Sequence, residues 1–158
     1  MPETLSPFMA EAIRLSKLGM DRGDGGPFGA VIVQKTKIIG RGWNRVLTDK
    51  DPTAHGEITA IREACSAKGS YWLEDCRIYV NCEPCPMCLA AIYWARIRKI
   101  TFAASRADAE RIGFIDSELY REICLPKEQR SITVNREGRK TALKVIRQWP
   151  DLNGHPTY

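Results

Sequence analysis

The chain has 158 residues, with 24 Lys and Arg against 19 Asp and Glu, for a net charge of +5. Its 44% hydrophobic and 27% charged residues supply one real core, which excludes disorder, collagen-like repeats and low-complexity sequence. No apolar run approaches the ~18 residues of a membrane span, and Met1-Pro2-Glu3-Thr4 opens without a basic region followed by an apolar one. A single domain over 1–158, free of membrane and located in the cytoplasm, is therefore expected.

Ser6-Pro7 predicts an N-cap followed by proline at the first helical position. Met9, Ala12, Ile13, Ser16 and Met20 then fall on one helical stripe, which the breaker cluster Asp24-Gly25-Gly26-Pro27 stops. Ala30 to Val33 and Ile38-Ile39 are short β-branched runs joined by a polar turn, the pattern of a hairpin. A polar loop covers Asn44 to Pro52. Thr53 to Ala67 reads as a helix, with Gly69 beyond its end. Arg77 to Val80 is a third strand, broken by Pro84, and Cys85 to Arg96 is apolar enough for a buried helix. Ile100 to Ala103 is a fourth strand. Short helices around Ala107 to Ile112 and Ser117 to Ile123 follow, then a fifth strand at Ser131 to Val134. Ala142, Val145, Ile146 and Trp149 give a last amphipathic helix before a polar tail. A hairpin followed by strands alternating with helices predicts an α/β fold: a three-layer α/β/α sandwich with a mixed central sheet of about five strands.

The charge is uneven. From Arg121 to Arg147 there are eight Lys or Arg against three Glu, which accounts for the whole excess. Such a segment could touch nucleic acid or form a solvated helix face. In a reducing compartment the six cysteines (65, 76, 82, 85, 88 and 124) are thiols or metal ligands rather than disulfides.

His55-Gly56-Glu57 and Cys82-Glu83-Pro84-Cys85-Pro86-Met87-Cys88 stand out. A histidine and a CxxC pair offer three ligands that suit zinc, and three protein ligands leave a fourth position for water, as in catalytic sites. His55 and Glu57 are two apart and share no helix face, so they converge only on a metal off the open N-terminal end of their helix. Cys85 opens the next helix, and Cys88 lies on the same face. Two positive helix ends facing one metal favour thiolates. Other readings exist. His55 could be a core or surface histidine, and Cys85 and Cys88 buried hydrophobes or a redox pair. Cys82, Cys85, Cys88 and His55 could also close a structural Cys3His site. Pro84 opposes the last, because it forces Glu83 into an extended conformation and leaves Cys82 at the strand end.

The H-x-E and P-C-x-x-C pair resembles the cytidine-deaminase-like superfamily of zinc deaminases. The resemblance implies one Zn2+ per chain on His55, Cys85 and Cys88. Glu57 is then no ligand but the proton carrier between zinc-bound hydroxide, the ring nitrogen and the leaving amine. Gly25 to Val33, Asp51 to His55, Cys82 to Arg96 and Gly113 to Ile123 are further similar to the bacterial guanine deaminases. That resemblance implies attack at C2 of guanine and release of ammonia to give xanthine. Asn44 would hydrogen-bond the purine, Phe28 and Trp94 would line its pocket, and Asp116 would serve the 2-amino group. It also implies a homodimer whose C-terminal tail, about 150–158, is exchanged so that Tyr158 closes the partner's site. Gly56 and Ile115 depart from the pattern, where alanine and a second acid are usual. Asp116 could equally be the N-cap of the following helix. A neutral purine base as substrate makes nucleic acid an unlikely partner. The rival readings are a tRNA adenosine deaminase, a cytosine deaminase, and a zinc-stabilised RNA-binding module without activity.

Overall fold

The structure is a computed structural model that describes residues 4–152 and 154. By its contacts the chain divides into two units, Met1–Ser117 and Glu118–Tyr158.

The first unit is built on a four-stranded sheet. Helix α1 (Pro7–Arg22) starts as expected: the Ser6 side chain accepts from the Met9 amide at 3.2 Å, and Gly23 ends the helix in the left-handed region. Strands β1 (Gly29–Gln34) and β2 (Lys37–Trp43) form the hairpin. A one-turn helix α2 (Val46–Asp49) interrupts the loop that follows. Then come α3 (Gly56–Lys68), β3 (Cys76–Cys82), α4 (Pro86–Trp94), β4 (Ile100–Ala104) and α5 (Arg106–Glu110). Helix α6 (Asp116–Cys124) begins at the end of this unit.

The strand order is β2-β1-β3-β4, with β1 antiparallel to both neighbours and β3 parallel to β4. Alternate residues of β1 feed opposite faces. Val31 and Val33 pack with Tyr79 against Met9, Ala12 and Leu15 of α1. Ala30 and Ile32 pack with Ile78 and Val80 against Ala60 and Ala64 of α3 and Ile92 of α4. This period-2 division produces the three layers.

The second unit holds the rest of α6, a 3₁₀ turn at Lys127–Gln129, α7 (Arg139–Ile146) and a 3₁₀ turn at Trp149–Asp151. Ser131 to Val134 is irregular chain, which corrects the expected fifth strand; one short β-branched run without a pairing edge does not make a strand. The last helix ends at Ile146, so the expected stripe runs past it to Trp149.

Strand β2 continues well beyond Ile39, through Gly40 and Gly42, which are a weak local signal for a strand. The structure gives these glycines a packing role. A Cβ on Gly42 would sit 2.1 Å from the Gly56 carbonyl oxygen and 2.5 Å from the Ala60 nitrogen, and one on Gly40 would sit 2.3 Å from the Ala60 oxygen. Bare backbone thus lets α3 lie directly on β2. Gly42→Ala is expected to lower stability by about 1–3 kcal/mol, the usual cost of overpacking. Urea denaturation measures this, and an unchanged midpoint would remove the packing argument.

Candidate active site

Strands β2 and β3 both run antiparallel to the intervening β1, so they point the same way, and β4 joins them. The helices that follow therefore start at one end of the sheet. His55 is the N-cap of α3, Cys85 the N-cap of α4, and Cys88 lies in the first turn of α4. The predicted helix at Thr53 thus begins three residues later, and His55 sits at the cap rather than inside the first turn.

His55 Nδ1 lies 3.6 Å from Cys85 Sγ and 3.5 Å from Cys88 Sγ. Tetrahedral zinc with bonds of roughly 2.3 Å to sulfur and 2.05 Å to nitrogen would set this separation at roughly 3.6 Å. The donor types and their spacing both fit zinc, and among the described residues these are the three His, Cys, Asp or Glu side chains that converge in this way. Hydrogen bonds from the Cys88 thiol and then from His55 hold the Cys85 sulfur as a thiolate, its pKa down at about 4. The Cys88 thiol is pushed the other way, by its bond to Cys85 and by burial. The Cys88 amide also faces the Cys85 sulfur at 3.5 Å, so the positive open end of α4 stabilises the negative charge there.

Cys82 is not part of this set. It ends β3, its thiol faces the Ser105 carbonyl at 3.7 Å, and burial raises its pKa to about 11. The strand runs two residues further than Val80, which places Cys82 in the sheet rather than at the metal.

A cleft opens beside the three donors, lined by Phe28, Asn44, Glu57, Glu83, Phe114 and Asp116 among others. Glu57 is only 8% exposed, and burial raises its carboxyl pKa. Asp116 is half-buried, and desolvation raises its pKa too. It is the first residue of α6, and the neighbouring Ser117 amide bonds to Glu110 Oε1 at 3.1 Å. Asn44 is 4% exposed, and its Oδ1 accepts from the Val46 amide at 3.2 Å.

The structure thus brings together His55, Cys85, Cys88, Glu57, Asp116, Asn44 and Phe28. It does not bring Trp94 to the cleft. Trp94 ends α4, six residues and about 9 Å of helix rise beyond Cys88, and is 67% exposed. Tyr158 lies outside the described residues.

Three contributors carried no separable sequence signal. Phe114 packs edge-on against Phe28, with centroids 4.7 Å apart. Asn81 accepts from the Gly29 amide at 2.8 Å and donates to the Pro27 carbonyl at 2.9 Å, which holds the turn carrying Phe28. Glu83 accepts from the Arg106 amide at 3.1 Å and pairs with its guanidinium at 3.2 Å, tying the start of α5 to the metal loop.

The donor geometry makes a direct prediction. Cys82→Ser should keep about one zinc per chain, whereas Cys85→Ser and Cys88→Ser should lose it. Elemental analysis of purified protein decides, and loss of zinc from Cys82→Ser would contradict the three-donor assignment.

Comparison with known proteins agrees with this geometry. A family profile described as the cytidine and deoxycytidylate deaminase zinc-binding region matches residues 2–104. Guanine deaminase of Bacillus subtilis is 46% identical over 151 residues, 96% of this chain and 97% of the relative. The X-ray structure of guanine deaminase from that organism superposes with a TM-score of 0.93 at 45% identity, covering 99% of both chains. A tRNA-specific adenosine deaminase of Aquifex aeolicus is 43% identical over 97 residues, 61% of this chain and 64% of the relative. The zinc-fitting donors and a likeness that runs from the first strand to the last helix place this chain in the cytidine and deoxycytidylate deaminase family, as a zinc-dependent hydrolytic deaminase.

Proposed function

We propose that this deaminase converts guanine and water to xanthine and ammonia. The observation that carries the reading is the position of Asp116 and Phe114 on the cleft wall, beyond the segment 2–104 that matches the wider family. The likeness to guanine deaminase also spans 96% of the chain, against 61% for the tRNA adenosine deaminase.

Zinc held by His55, Cys85 and Cys88 would supply an acidified water, its pKa lowered from 15.7 to roughly 7. The remaining work falls to side chains of the cleft. Phe28 and Phe114, already packed edge to face, offer apolar surface to the purine ring. Asn44 has its oxygen engaged by Val46, so its amide donors remain for acceptors on the purine edge. Glu57 takes the proton lost by the attacking water and delivers it to N3 as C2 becomes tetrahedral. Burial suits this task, because it raises the carboxyl pKa and so favours the protonated form that can give a proton up. Asp116, also raised by desolvation, hands a proton to the 2-amino group as it departs, and the proton given up by the C2 hydroxyl as the carbonyl forms restores the acid. The bond from C2 to nitrogen breaks, that from C2 to oxygen forms, and no oxidant is needed.

Six free thiols suit a reducing compartment, and we place the protein in the cytoplasm. We also infer a homodimer with an exchanged C-terminal tail. The described residues of 118–154 include no buried side chain, yet Leu119, Ile123, Ile132, Val134, Val145 and Ile146 are all at least half exposed. So much apolar surface on a segment without a core of its own calls for a cover, and a second copy supplies one.

Two measurements test this reading. Glu57→Gln and Asp116→Asn should each keep zinc and thermal stability while lowering guanine turnover by about 10²-fold or more. Normal xanthine formation by Asp116→Asn would remove that residue from the reaction, since an amide cannot deliver the proton. Deleting 150–158 should leave the zinc site intact but impair turnover. Full activity of the truncated chain, or a monomer in sedimentation, would contradict the exchanged tail.

A further inference from the structure

We propose that Asp24, which does not line the cleft, is a positioning residue that locks Asn44 in place for the purine; this rests on the guanine reading for the identity of the ligand. Asp24 stands two residues past the end of α1, next to its Gly23 cap, and is anchored there, its amide donating to the Gly19 carbonyl at 2.9 Å. From that anchor it makes four bonds to the turn that carries Asn44. Its Oδ2 accepts from Trp43 Nε1 at 2.8 Å, and its Oδ1 accepts from Thr48 Oγ1 at 2.7 Å. Its carbonyl accepts from the Leu47 and Thr48 amides at 3.0 and 3.2 Å.

These partners flank Asn44 on both sides, one residue before it and three and four residues after it. The clamp is buried: Asp24 is 9% exposed and Asn44 4%. The next residue, Gly25, closes the remaining gap, because a Cβ there would lie 2.0 Å from Asn44 Oδ1. The Asn44 amide completes the frame by donating to the Phe28 carbonyl at 2.9 Å. Trp43 is itself wedged against α1, where a Cβ on Gly19 would lie 2.3 Å from its Cδ1. A loop side chain at the cleft is thereby referred to α1, a rigid helix packed on the opposite face of the sheet. Recognition groups held by such a supporting layer keep the sub-ångström placement that a loop alone does not provide.

The role is one of hydrogen bonding, so shape and acceptors matter more than charge. Asparagine at 24 can accept from Trp43 Nε1 through its oxygen and donate to Thr48 Oγ1 through its nitrogen. Alanine can do neither. Asp24→Ala should raise the KM for guanine about tenfold with kcat changed less than threefold, and Asp24→Asn should restore most of the loss. In a double-mutant cycle, Asp24→Ala added to Asn44→Ala should change KM less than twofold, because the clamp then holds nothing. Should Asp24→Ala fail to fold, Trp43→Phe keeps the ring and removes one donor, and should raise KM about threefold. Independent of any substrate, Asp24→Ala or Trp43→Phe should speed amide exchange at Leu47 and Thr48 while leaving Val31 to Val33 unchanged.

Unchanged exchange at Leu47 and Thr48 would overturn the clamp whatever the substrate. Additive effects on KM in the Asn44→Ala background, or a loss confined to kcat, would overturn the positioning role. Absence of guanine turnover in the wild-type enzyme would instead overturn the substrate reading, and the exchange result would then decide the clamp alone.

Discussion

Everything at this site depends on one constraint: two helices must start at the same end of the sheet, close enough for three soft donors to meet within a few ångströms. The strand directions secure it. With β1 antiparallel to both β2 and β3, the chain leaves β2 and β3 at the same end. The glycines of β2 let α3 sit against the sheet backbone, so His55 reaches the sulfurs of α4 at 3.5 and 3.6 Å. A side chain on Gly42 would displace the helix that carries both a metal donor and the buried acid. Packing and chemistry are therefore the same problem here. This also follows the general tendency of α/β sheets to bind ligands beyond the carboxyl ends of their strands.

The same end gathers charge that must be kept apart. Glu57 and Asp116 are both carboxyls with pKa values raised by desolvation, beside a Cys85 sulfur held as a thiolate. In open solvent such a cluster would be unremarkable. In a narrow cleft walled by Phe28 and Phe114 it becomes two proton carriers of differing burial, which is what a reaction with two proton deliveries requires. Asp24, by contrast, is held ionised by its two donors, and its task is to fix geometry rather than to move protons.

The metal donors were legible from residue type and spacing alone, because a CxxC pair at a helix start and a remote His-x-Glu have few other uses together. The layers were legible too, since Ala30 to Val33 and Ile78 to Val80 alternate between two cores. What local pattern could not supply was tertiary. Strand β2 hid behind Gly40 and Gly42. The helix after Pro52 begins at Gly56, because His55 serves as its cap. Family likeness assigns Trp94 to the pocket, and helix length sets it six residues beyond Cys88 and 67% exposed. The Ser131 to Val134 run has strand-forming residues and no strand, since pairing needs an edge that local sequence does not specify. Asn81, Phe114 and Asp24 act through contacts 19 to 86 residues distant in sequence, and no periodicity announces them.

Guanine is one of several amines that such a zinc site could take, and an RNA substrate would explain the basic excess of residues 121–147. The most direct measurement is ammonia release by the zinc-loaded enzyme from guanine, adenine, cytosine, cytidine and a tRNA anticodon stem under one set of conditions. The account predicts guanine as the preferred substrate, with xanthine as product and a rate insensitive to added tRNA. Faster release from the anticodon stem, with guanine inert, would contradict it.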